Sequence, residues 1–397
     1  MPSEASVKVL RTVSELEEIR SEWESWPGNR DSDIHSFLTF LRLNPRTVRP
    51  HVLVVYHQGS PEAILVGRID EGEIRCKLGY LGMDFGARIM FFVYGALRGN
   101  PSEKTCELLV DEILRSLSMG EADVAYLNFL RQDSELCRLA MKKPALLTRD
   151  HVCITQMHFG AKLPATVDEL YRSLPPELRE FNKTKHNKLR REFAGRVEIK
   201  CFREVADLDA MVKDVEQVAR MSYQRGLGVG FTDSREMREG LRLKAEKGWL
   251  RTYILYLAGR PCAFWVGDMN QGTFGGDYVG YDPEFGKYSP GMFLLRRVME
   301  GFCDGNREGV SALDFGPGYA RYKEILSNRR WQETSVYIFA PSLKGINLNL
   351  ARTVVVGMDQ TIKKALANSG LLQKVKKAWR ARARPRRAAE ESGRIPP

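Results

Sequence analysis

Residues 51–70, HVLVVYHQGSPEAILVGRID, and residues 251–270, RTYILYLAGRPCAFWVGDMN, decide the fold because they are two copies of one unit. At a constant offset of 200 residues the identical pairs are Tyr56 and Tyr256, Gly59 and Gly259, Pro61 and Pro261, Ala63 and Ala263, Val66 and Val266, and Gly67 and Gly267. Each copy is an apolar run, a turn with Gly and Pro, and a second apolar run, which predicts a β-hairpin. The chain therefore carries an internal repeat.

The repeat continues downstream at an offset of 186, where residues 120–129 align with residues 306–315. Val124, Leu127 and Phe129 recur there as Val310, Leu313 and Phe315. Helical apolar spacing precedes this strand in both halves, at 102–117 and 290–302, and precedes both hairpins, at 14–26 and 207–226. Two α/β domains follow, over residues 1–150 and 151–345, with a helix and a basic tail over 346–397.

The composition excludes several classes of protein. With 397 residues, 43% of them hydrophobic, the chain has enough apolar material for folded domains. Seven scattered cysteines without a CxxC pair, and six histidines without an HExxH motif, favour neither disulfides nor zinc, so we expect no metal site. No apolar run approaches the roughly 18 residues of a membrane span, and no secretory signal is visible. We therefore expect a cytoplasmic protein.

Most of the net charge of +11 lies at the end of the chain. From Lys363 onward, eleven Lys or Arg oppose only Glu390 and Glu391, a net of +9, which leaves about +2 for the rest. Apolar residues of this segment that fall near one helical face are Leu371, Leu372, Val375 and Trp379. Residues 363–387 could contact an anionic membrane peripherally, touch nucleic acid, or form a solvated extension. One aromatic residue is too few for base stacking, so nucleic acid is disfavoured except as a tRNA donor.

The strongest candidate for a binding site is the segment TFGGDYVGYDPEFGKYSPGMFLLRRVMEG, residues 273–301. Ser289 suits the N-cap of a helix, Pro290 suits its first position, and Gly291 allows close approach to the free amides. Such a helix start binds phosphate well, although an ordinary capped helix has the same pattern. Gly275 and Gly276 in the preceding strand predict a β-bulge.

A second candidate segment is LDFGPGYARYKEIL, residues 313–326. Asp314 ends an apolar strand, two glycines follow, and Tyr319, Tyr322 and Lys323 open the next helix. A carboxylate at the carboxyl end of a strand beside a Gly-rich turn is typical of sites in α/β folds, although it also suits a turn former. The matching segment of the first half, YLNFLRQDSELCRLA, lacks the glycines, tyrosines and lysine. We therefore expect the site in the second half.

Two further helices are predicted. One starts at Pro175 and Pro176 and carries many cations, which either contact an anion or form a solvated face. Its cations are Lys183, Lys185, Lys188, Arg190 and Arg191. The other has a stripe at four-residue spacing that we expect to pack against the body of the protein. The stripe consists of Leu350, Val354, Met358, Ile362 and Leu366.

The segments GYDPEFGKYSPGMFLL and DFGPGYARYK together resemble the GNAT acyltransferase superfamily, in particular its tandem-domain CelD-like branch, which is related to Fem-type transferases. The basic helix before the second hairpin is similar to the Arg-rich segment of that group. The resemblance covers roughly residues 150–340. It implies two tandem GNAT-like domains, each a mixed, mainly antiparallel sheet flanked by helices, with a degenerate N-terminal copy.

The resemblance also implies an activity, the transfer of an acyl group from a thioester to an amine, in surface polysaccharide or lipid biosynthesis. Acyl-CoA or an acyl carrier protein would serve as co-substrate, with no permanently bound cofactor. Asp314 or Asp277 would accept the proton of the amine, and Tyr322 would protonate the departing thiolate. Donor binding is implied for Tyr288, Ser289, Pro290, Gly291 and Lys323, and substrate binding for Lys188, Arg190, Arg191 and Tyr319.

Two alternatives stay open. The loop before the helix keeps only Gly286, Lys287 and Gly291 of the usual GNAT pattern, which leaves an aminoacyl-tRNA donor possible. A Fem-type transferase acting on a cell-wall precursor would use such a donor, but the chain lacks the inserted helical arm common in those enzymes. The other alternative is a non-catalytic scaffold at a membrane surface.

Overall fold

The structure is a computed structural model that describes residues 5–79, 81–222, 225, 230–303 and 308–368. Its backbone contacts separate two compact units. The first contains residues up to 159, 317–319 and 330–364, and the second contains 160–316 and 320–329 together with the positions from 365. The first unit therefore extends past the expected boundary at 150 and takes up residues 330–345, which the sequence had placed in the second domain.

The described residues contain thirteen strands. They are β1 (Ser6–Leu10), β2 (Thr47–Pro50), β3 (Val52–His57), β4 (Ser60–Leu78), β5 (Leu81–Gly99), β6 (Val124–Arg131), β7 (Ile154–Lys162), β8 (Val197–Phe202), β9 (Leu250–Leu257), β10 (Arg260–Asn270), β11 (Thr273–Tyr281), β12 (Ala312–Pro317) and β13 (Arg329–Phe339). In the first unit the strand order is β1-β3-β4-β5-β6-β13-β7, with β2 beside β4. In the second unit it is β12-β11-β10-β9-β8.

The α-helices of the described chain lie between these strands. They are α1 (Val13–Glu17), α2 (Arg20–Ser25), α3 (Ile34–Leu43), α4 (Glu103–Ser118), α5 (Glu135–Lys142), α6 (Val167–Ser173), α7 (Pro176–Glu192), α8 (Leu208–Met221), α9 (Arg235–Glu246), α10 (Pro290–Cys303), α11 (Arg321–Leu326) and α12 (Leu343–Asn368). The helices predicted at 102–117, 290–302 and after Pro175 are confirmed as α4, α10 and α7. The pattern over 14–26 forms two short helices, α1 and α2.

The two predicted hairpins are confirmed, and they share their irregularities. Strands β3 and β4 turn through Gln58 and Gly59, both at positive φ, and β9 and β10 turn through Ala258 and Gly259 in the same way. Two consecutive residues at positive φ match the right-handed twist of the strands that they join. Each hairpin also has a β-bulge just after its turn, where the strand pairing skips one residue. The skipped residue lies between Pro61 and Ala63 in the first hairpin and between Pro261 and Ala263 in the second.

The second part of the repeat appears as a parallel strand pair in each unit. In the first unit β5 pairs with β6 from Ile89 to Phe92, and Phe92 lies opposite Leu127. In the second unit β11 pairs with β12, and Phe274 lies opposite Leu313. The pairs β1–β3, β3–β4 and β4–β5 in the first unit are antiparallel. The pairs β8–β9 and β9–β10 in the second unit are antiparallel as well. Both sheets are therefore mixed and mainly antiparallel, as expected.

The pairing of β13 with a strand of the first unit explains why the unit boundaries differ from the expected domain boundaries. This strand pairs antiparallel with β6, from Phe339 opposite Val124 to Glu333 opposite Arg131. Its inward side chains Val336 and Ile338 are fully buried in the core of the first unit. The sequence carries no signal for the sheet that this strand joins, because strand pairing is a tertiary contact.

The expectation that the apolar stripe of α12 packs against the protein is wrong for its first four members, and the side chain of the fifth, Leu366, lies outside the described residues. Leu350, Val354, Met358 and Ile362 are 62%, 50%, 50% and 44% exposed. Other residues form the inward face: Leu348, Val355 and Val356 pack against a buried apolar cluster, and Asn349 donates from Nδ2 to the carbonyl oxygens of Leu147 and Arg149, both at 2.9 Å. Periodicity identified the apolar face, but the anchoring contacts determined that this face points to solvent.

None of the helices in the described ranges is long and apolar enough to cross a membrane. Within the same ranges, no group of three or more His, Cys, Asp or Glu side chains could hold a metal ion. All seven cysteines are free thiols, and five of them are buried.

Candidate active site

The site predicted from the sequence lies in the second unit, where β11 and β12 separate. Their parallel ladder has three residue pairs and ends where Gly275 lies opposite Asp314. Both strands continue past this point, β11 to Tyr281 and β12 to Pro317. Two parallel strands that diverge leave an opening into which a ligand can insert, at the carboxyl ends of the strands. Residues on both sides of this opening are those that the motifs singled out.

A carboxylate and an ammonium group lie at the mouth of the opening. Asp314 accepts a hydrogen bond at Oδ1 from the backbone N–H of Gly316, at 2.7 Å. Lys323 donates from Nζ to the carbonyl oxygen of Gly316, at 3.2 Å. Burial lowers the pKa of Lys323, and the nearby charge of Asp314 opposes that shift. Asp314 thus also has the turn-forming role that its position suggested, and it holds Lys323 close by.

Tyr322 lies next to this pair on α11. Its ring meets the ring of Phe315 edge to face, with centroids 6.2 Å apart. Phe315 in turn stacks on Trp265, at 6.3 Å and an interplanar angle of 10°. Aromatic pairs in these geometries are favourable and orient their members. The aromatic core of the second unit therefore positions Tyr322 beside Phe315, in the same part of the fold as Asp314 and Lys323, and the catalytic roles of these residues stay predictions.

Asp277 lies on β11 in a bulge that the two glycines predicted. Tyr278 pairs with Val266 and Gly276 pairs with Gly267, which leaves Asp277 as the extra residue. A Cβ at Gly276 would lie 2.4 Å from Nε1 of Trp265, so only glycine fits there. The Asp277 carboxylate accepts from Lys244 at 2.5 Å, and Lys244 also pairs with the buried Asp268 at 2.8 Å. Asp277 is therefore held as an ion-pair partner of α9.

The loop between β11 and α10 has the form that the sequence indicated. Asp282, which is buried, accepts from the N–H of Glu284 at 3.0 Å and starts a short 3₁₀ turn. Ser289 ends that turn with a left-handed backbone, φ 54° and ψ 54°. Its carbonyl oxygen also accepts the first helical hydrogen bond, from Phe293 N–H at 3.0 Å. A non-glycine residue in this region costs of order 1–3 kcal/mol, a strain often found at binding sites.

Pro290 and Gly291 form the start of α10, as predicted. A Cβ at Gly291 would make an ordinary contact of 3.5 Å with Cδ1 of Tyr281. The fold itself therefore tolerates a side chain at 291, and close approach of a ligand is the remaining physical reason for glycine there. Pro290 is buried and lacks the N–H that would be unsatisfied at this position.

The carboxyl end of the basic helix α7 braces this loop. The Tyr288 hydroxyl donates to the Glu192 carboxylate, and the ring of Tyr288, only 4% exposed, meets Phe193 edge to face at 5.5 Å. Lys287 lies 3.8 Å from the same Glu192 carboxylate. Tyr288 therefore faces α7, where it fixes the loop. Its buried ring supports the loop between β11 and α10 from the side of α7.

A buried histidine joins α7 to the first turns of α10. The His186 ring is 1% exposed and meets Phe293 edge to face at 5.0 Å. Among the described residues, neither of its ring nitrogens has a hydrogen-bond partner. Burial lowers the pKa of His186 to about 3, and the charges of Arg296 and Arg190 add to the effect. His186 is thus neutral near pH 7 and packs as an apolar group.

The predicted substrate residues have different locations. Arg190 stacks over the Phe293 ring at 5.9 Å, next to the start of α10. Lys188 and Arg191 are exposed on α7, and Lys188 lies 3.8 Å from Glu192. Tyr319 belongs to the first unit, is 73% exposed and meets Phe159 edge to face at 6.5 Å. Arg190 of α7 therefore lies beside the start of α10, whereas Tyr319 belongs to the first unit.

Sequence reasoning missed three residues of this region. His186, Glu192 and Lys244 act through partners that are distant in the chain. An alternating or helical pattern cannot reveal such pairs. The sequence offered one signal for His186, which was the unusual presence of a histidine at an inward position of a basic helix.

Comparison with known proteins agrees with this geometry. Residues 179–324 match the family model of the acetyltransferase (GNAT) domain, which includes α7, the loop before α10 and the strands β11 and β12. This segment, which runs from α7 to α11, is therefore similar to an acetyltransferase (GNAT) domain. The CelD-like branch stays a prediction.

Solved structures share the fold at low identity, and no curated protein sequence matches the chain. FemX is 10% identical, with a TM-score of 0.53 over 82% of this chain and 96% of FemX. A conserved protein of unknown function from Bacteroides thetaiotaomicron VPI-5482 is 11% identical, with a TM-score of 0.48 over 84% of this chain and 100% of that chain. A tandem GNAT protein from the clavulanic acid biosynthesis pathway is 10% identical, with a TM-score of 0.46 over 85% and 99%. Of these three, FemX alone exceeds 0.5, and at this identity it supports the fold.

Proposed function

We propose that the protein transfers an acyl group from a thioester donor, acyl-CoA or an acyl carrier protein, to an amine. The observation that carries the proposal is the opening at Gly275 and Asp314, with Tyr322 and Lys323 at its mouth and the start of α10 at the end of the same strand. We assign the reaction to the cytoplasm, and to the assembly of a surface polysaccharide or lipid.

The donor would enter along β11. Phosphate groups would lie at the start of α10, where helix N–H groups and the positive end of the helix dipole attract anions. Arg190 and the exposed cations Lys188 and Arg191 add positive charge on the neighbouring helix. The extended arm that links the phosphates to the thioester contains amide groups, which suit the edge of a strand. The thioester carbonyl would then reach the neighbourhood of Asp314 and Tyr322.

The chemistry is a direct transfer. The amine attacks the thioester carbonyl carbon as its proton passes to a carboxylate, the C–N bond forms, the C–S bond breaks, and the thiolate takes a proton. We assign the amine proton to Asp314 because it lies where the β11–β12 ladder ends, whereas Asp277 is the bulged residue of β11 that pairs with Lys244 on α9. Tyr322 would supply the proton to the thiolate. Lys323 would hold an anionic part of the donor.

Calorimetric titration with coenzyme A, acetyl-CoA and a long-chain acyl-CoA tests this proposal. We expect saturable binding that also raises the melting temperature, because a ligand of the native state stabilises it. Gly291→Val should weaken binding at least about tenfold, since its side chain would fill the space for phosphate. Gly301→Val is the matched control, because a Cβ at Gly301 in the same helix meets no other atom within 4 Å.

The alternatives give different results. Absence of binding to all three ligands, with binding of an acyl carrier protein, would retain the reaction and change the donor. Binding of aminoacyl-tRNA alone would indicate the Fem-type alternative. Equal affinities for the parent and Gly291→Val would contradict the donor position.

A further inference from the structure

An apolar surface faces solvent on α12 of the first unit. We name the α12 stripe by its residues Leu350, Val354, Met358 and Ile362, which follow one another at four-residue spacing and are each at least 44% exposed. Residues four apart lie on the same face of a helix. A helix on the surface of a globular protein normally turns its apolar side inward. In α12, Leu348, Val355 and Val356 pack against the buried cluster that contains Val124 and Phe339, and the α12 stripe is a second apolar face, which points to solvent.

Polar contacts on the opposite face fix the orientation of the stripe. Arg352, 2% exposed, donates from Nη1 to Asp150 at 2.5 Å and stacks over Tyr337 at 4.2 Å. Near the other end, Asp359 accepts from the N–H of Gly79 at 2.9 Å. A buried ion pair tolerates little rotation because each partner would lose its compensation. The helix therefore cannot turn the stripe inward without breaking these contacts.

Charge indicates what the stripe meets. Asp359 is the single acidic residue among residues 343–368, and it is buried, with its carboxylate bonded to the N–H of Gly79 and paired with Lys363 at 2.6 Å. Lys363 and Lys364 lie at the end of the stripe and are exposed. Residues 365–397 add nine Lys or Arg and two Glu, a net of +7. An outward apolar face without carboxylates, followed by a strongly cationic segment, matches an anionic lipid interface.

We propose that the α12 stripe docks on the interface of an anionic lipid bilayer, with the helix lying on the membrane. The four apolar side chains enter the boundary between headgroups and acyl chains, and the cations contact the lipid phosphates. Two neighbouring segments supply further exposed apolar residues, Leu147 and Leu81, which are 61% and 70% exposed. A second copy of the chain is a poorer occupant, since two cationic segments would repel each other. This docking is independent of the proposed transfer reaction.

Vesicle flotation with the full chain tests the proposal. The probes are vesicles of phosphatidylcholine alone and of phosphatidylcholine with about one third phosphatidylglycerol. We expect the protein to float with the anionic vesicles, to bind the neutral ones at least about tenfold more weakly, and to be partly released by added salt. The double variant Val354→Glu/Met358→Glu should lower the partition coefficient on anionic vesicles at least about tenfold.

Controls separate docking from misfolding and from charge alone. Val13→Glu changes a valine of similar exposure, 48%, at the first position of α1, and it should float like the parent. Val354→Ser/Met358→Ser removes apolar surface without adding charge, and it should also bind more weakly while melting like the parent. Equal flotation of the stripe variants and the parent would overturn the proposal, because the cationic segment alone would then account for binding. Absence of flotation would also overturn it, and a parent dimer that the variants convert to monomer would assign the stripe to a second copy.

Discussion

Replacing His186 with leucine should make the protein markedly less sensitive to acid. The neutral ring is buried between α7 and α10, and its pKa is lowered to about 3 from the usual 6.5. In the unfolded chain the ring takes up a proton as the pH falls through 6.5, while in the folded protein it stays neutral down to about 3. The free energy of unfolding therefore decreases with falling pH between these two values.

The size of the effect follows from the two pKa values. At about pH 5 the unfolded chain lies 1.5 pH units below its His pKa, and each unit corresponds to about 1.4 kcal/mol, so protonation costs the fold about 2 kcal/mol. At about pH 7.5 the same contribution nearly vanishes. Leucine has a similar volume and no titration. The stability of His186→Leu relative to the parent should therefore improve by about 2 kcal/mol from about pH 7.5 to about pH 5.

Urea unfolding followed by far-UV circular dichroism at both pH values measures this difference. His57→Leu is the control for the loss of a histidine as such, because His57 is an exposed histidine in the first unit. Equal losses of stability in His186→Leu and the parent would refute the reasoning, since they would mean that His186 takes up its proton in the folded state as easily as in the unfolded one.

Two further predictions concern the candidate site and a buried ion pair of the first unit. Tyr322→Phe should lower kcat about 10²–10⁴-fold and leave the donor Kd within about twofold, because the hydroxyl acts on the leaving group. Steady-state kinetics and calorimetry measure the two, and a larger loss of kcat in Tyr319→Phe would move the role to Tyr319. Arg352→Met should cost about 3–5 kcal/mol in urea unfolding because it leaves the buried Asp150 carboxylate without its counter-ion, with only the N–H groups of Val152 and Tyr337 as partners. The added change Asp150→Asn should restore part of that loss, and no recovery would mean that the pair is not coupled.

The repeat could be predicted from the sequence because it depends on local chemistry. The pairs Gly59/Gly259 and Pro61/Pro261 sit at turns, and their φ requirements are the same in any copy of the hairpin. Gly67 and Gly267 recur for a steric reason that becomes visible in the fold. A Cβ at Gly267 would lie 2.2 Å from the carbonyl oxygen of Gly275, and a Cβ at Gly67 would lie 2.6 Å from the Phe92 ring. Both glycines allow the next strand to approach.

The site was predictable in part. Asp314, Tyr322 and Lys323 lie within ten residues of one another at a strand end, so a local motif could group them. The ion pair of Asp277 with Lys244 joins residues 33 positions apart, and the contact of Tyr288 with Glu192 joins residues 96 apart. No periodicity connects such positions. The sequence therefore identified where the loop lies, and it could not show which side chains support the loop from behind.

The sequence by itself determined the repeated hairpins, the mixed sheets, the helix start at Ser289 to Gly291 and the cationic end of the chain, because turn geometry, periodicity and charge are properties of neighbouring residues. The tertiary structure alone decided that β13 joins the first unit, that His186 is buried in its neutral form, and that the α12 stripe faces solvent. Each of these depends on distant partners, such as Val124 opposite Phe339 or Asp150 beneath Arg352. The burial of a side chain and the direction of a helix face are set by those partners, which the order of residues along the chain does not specify.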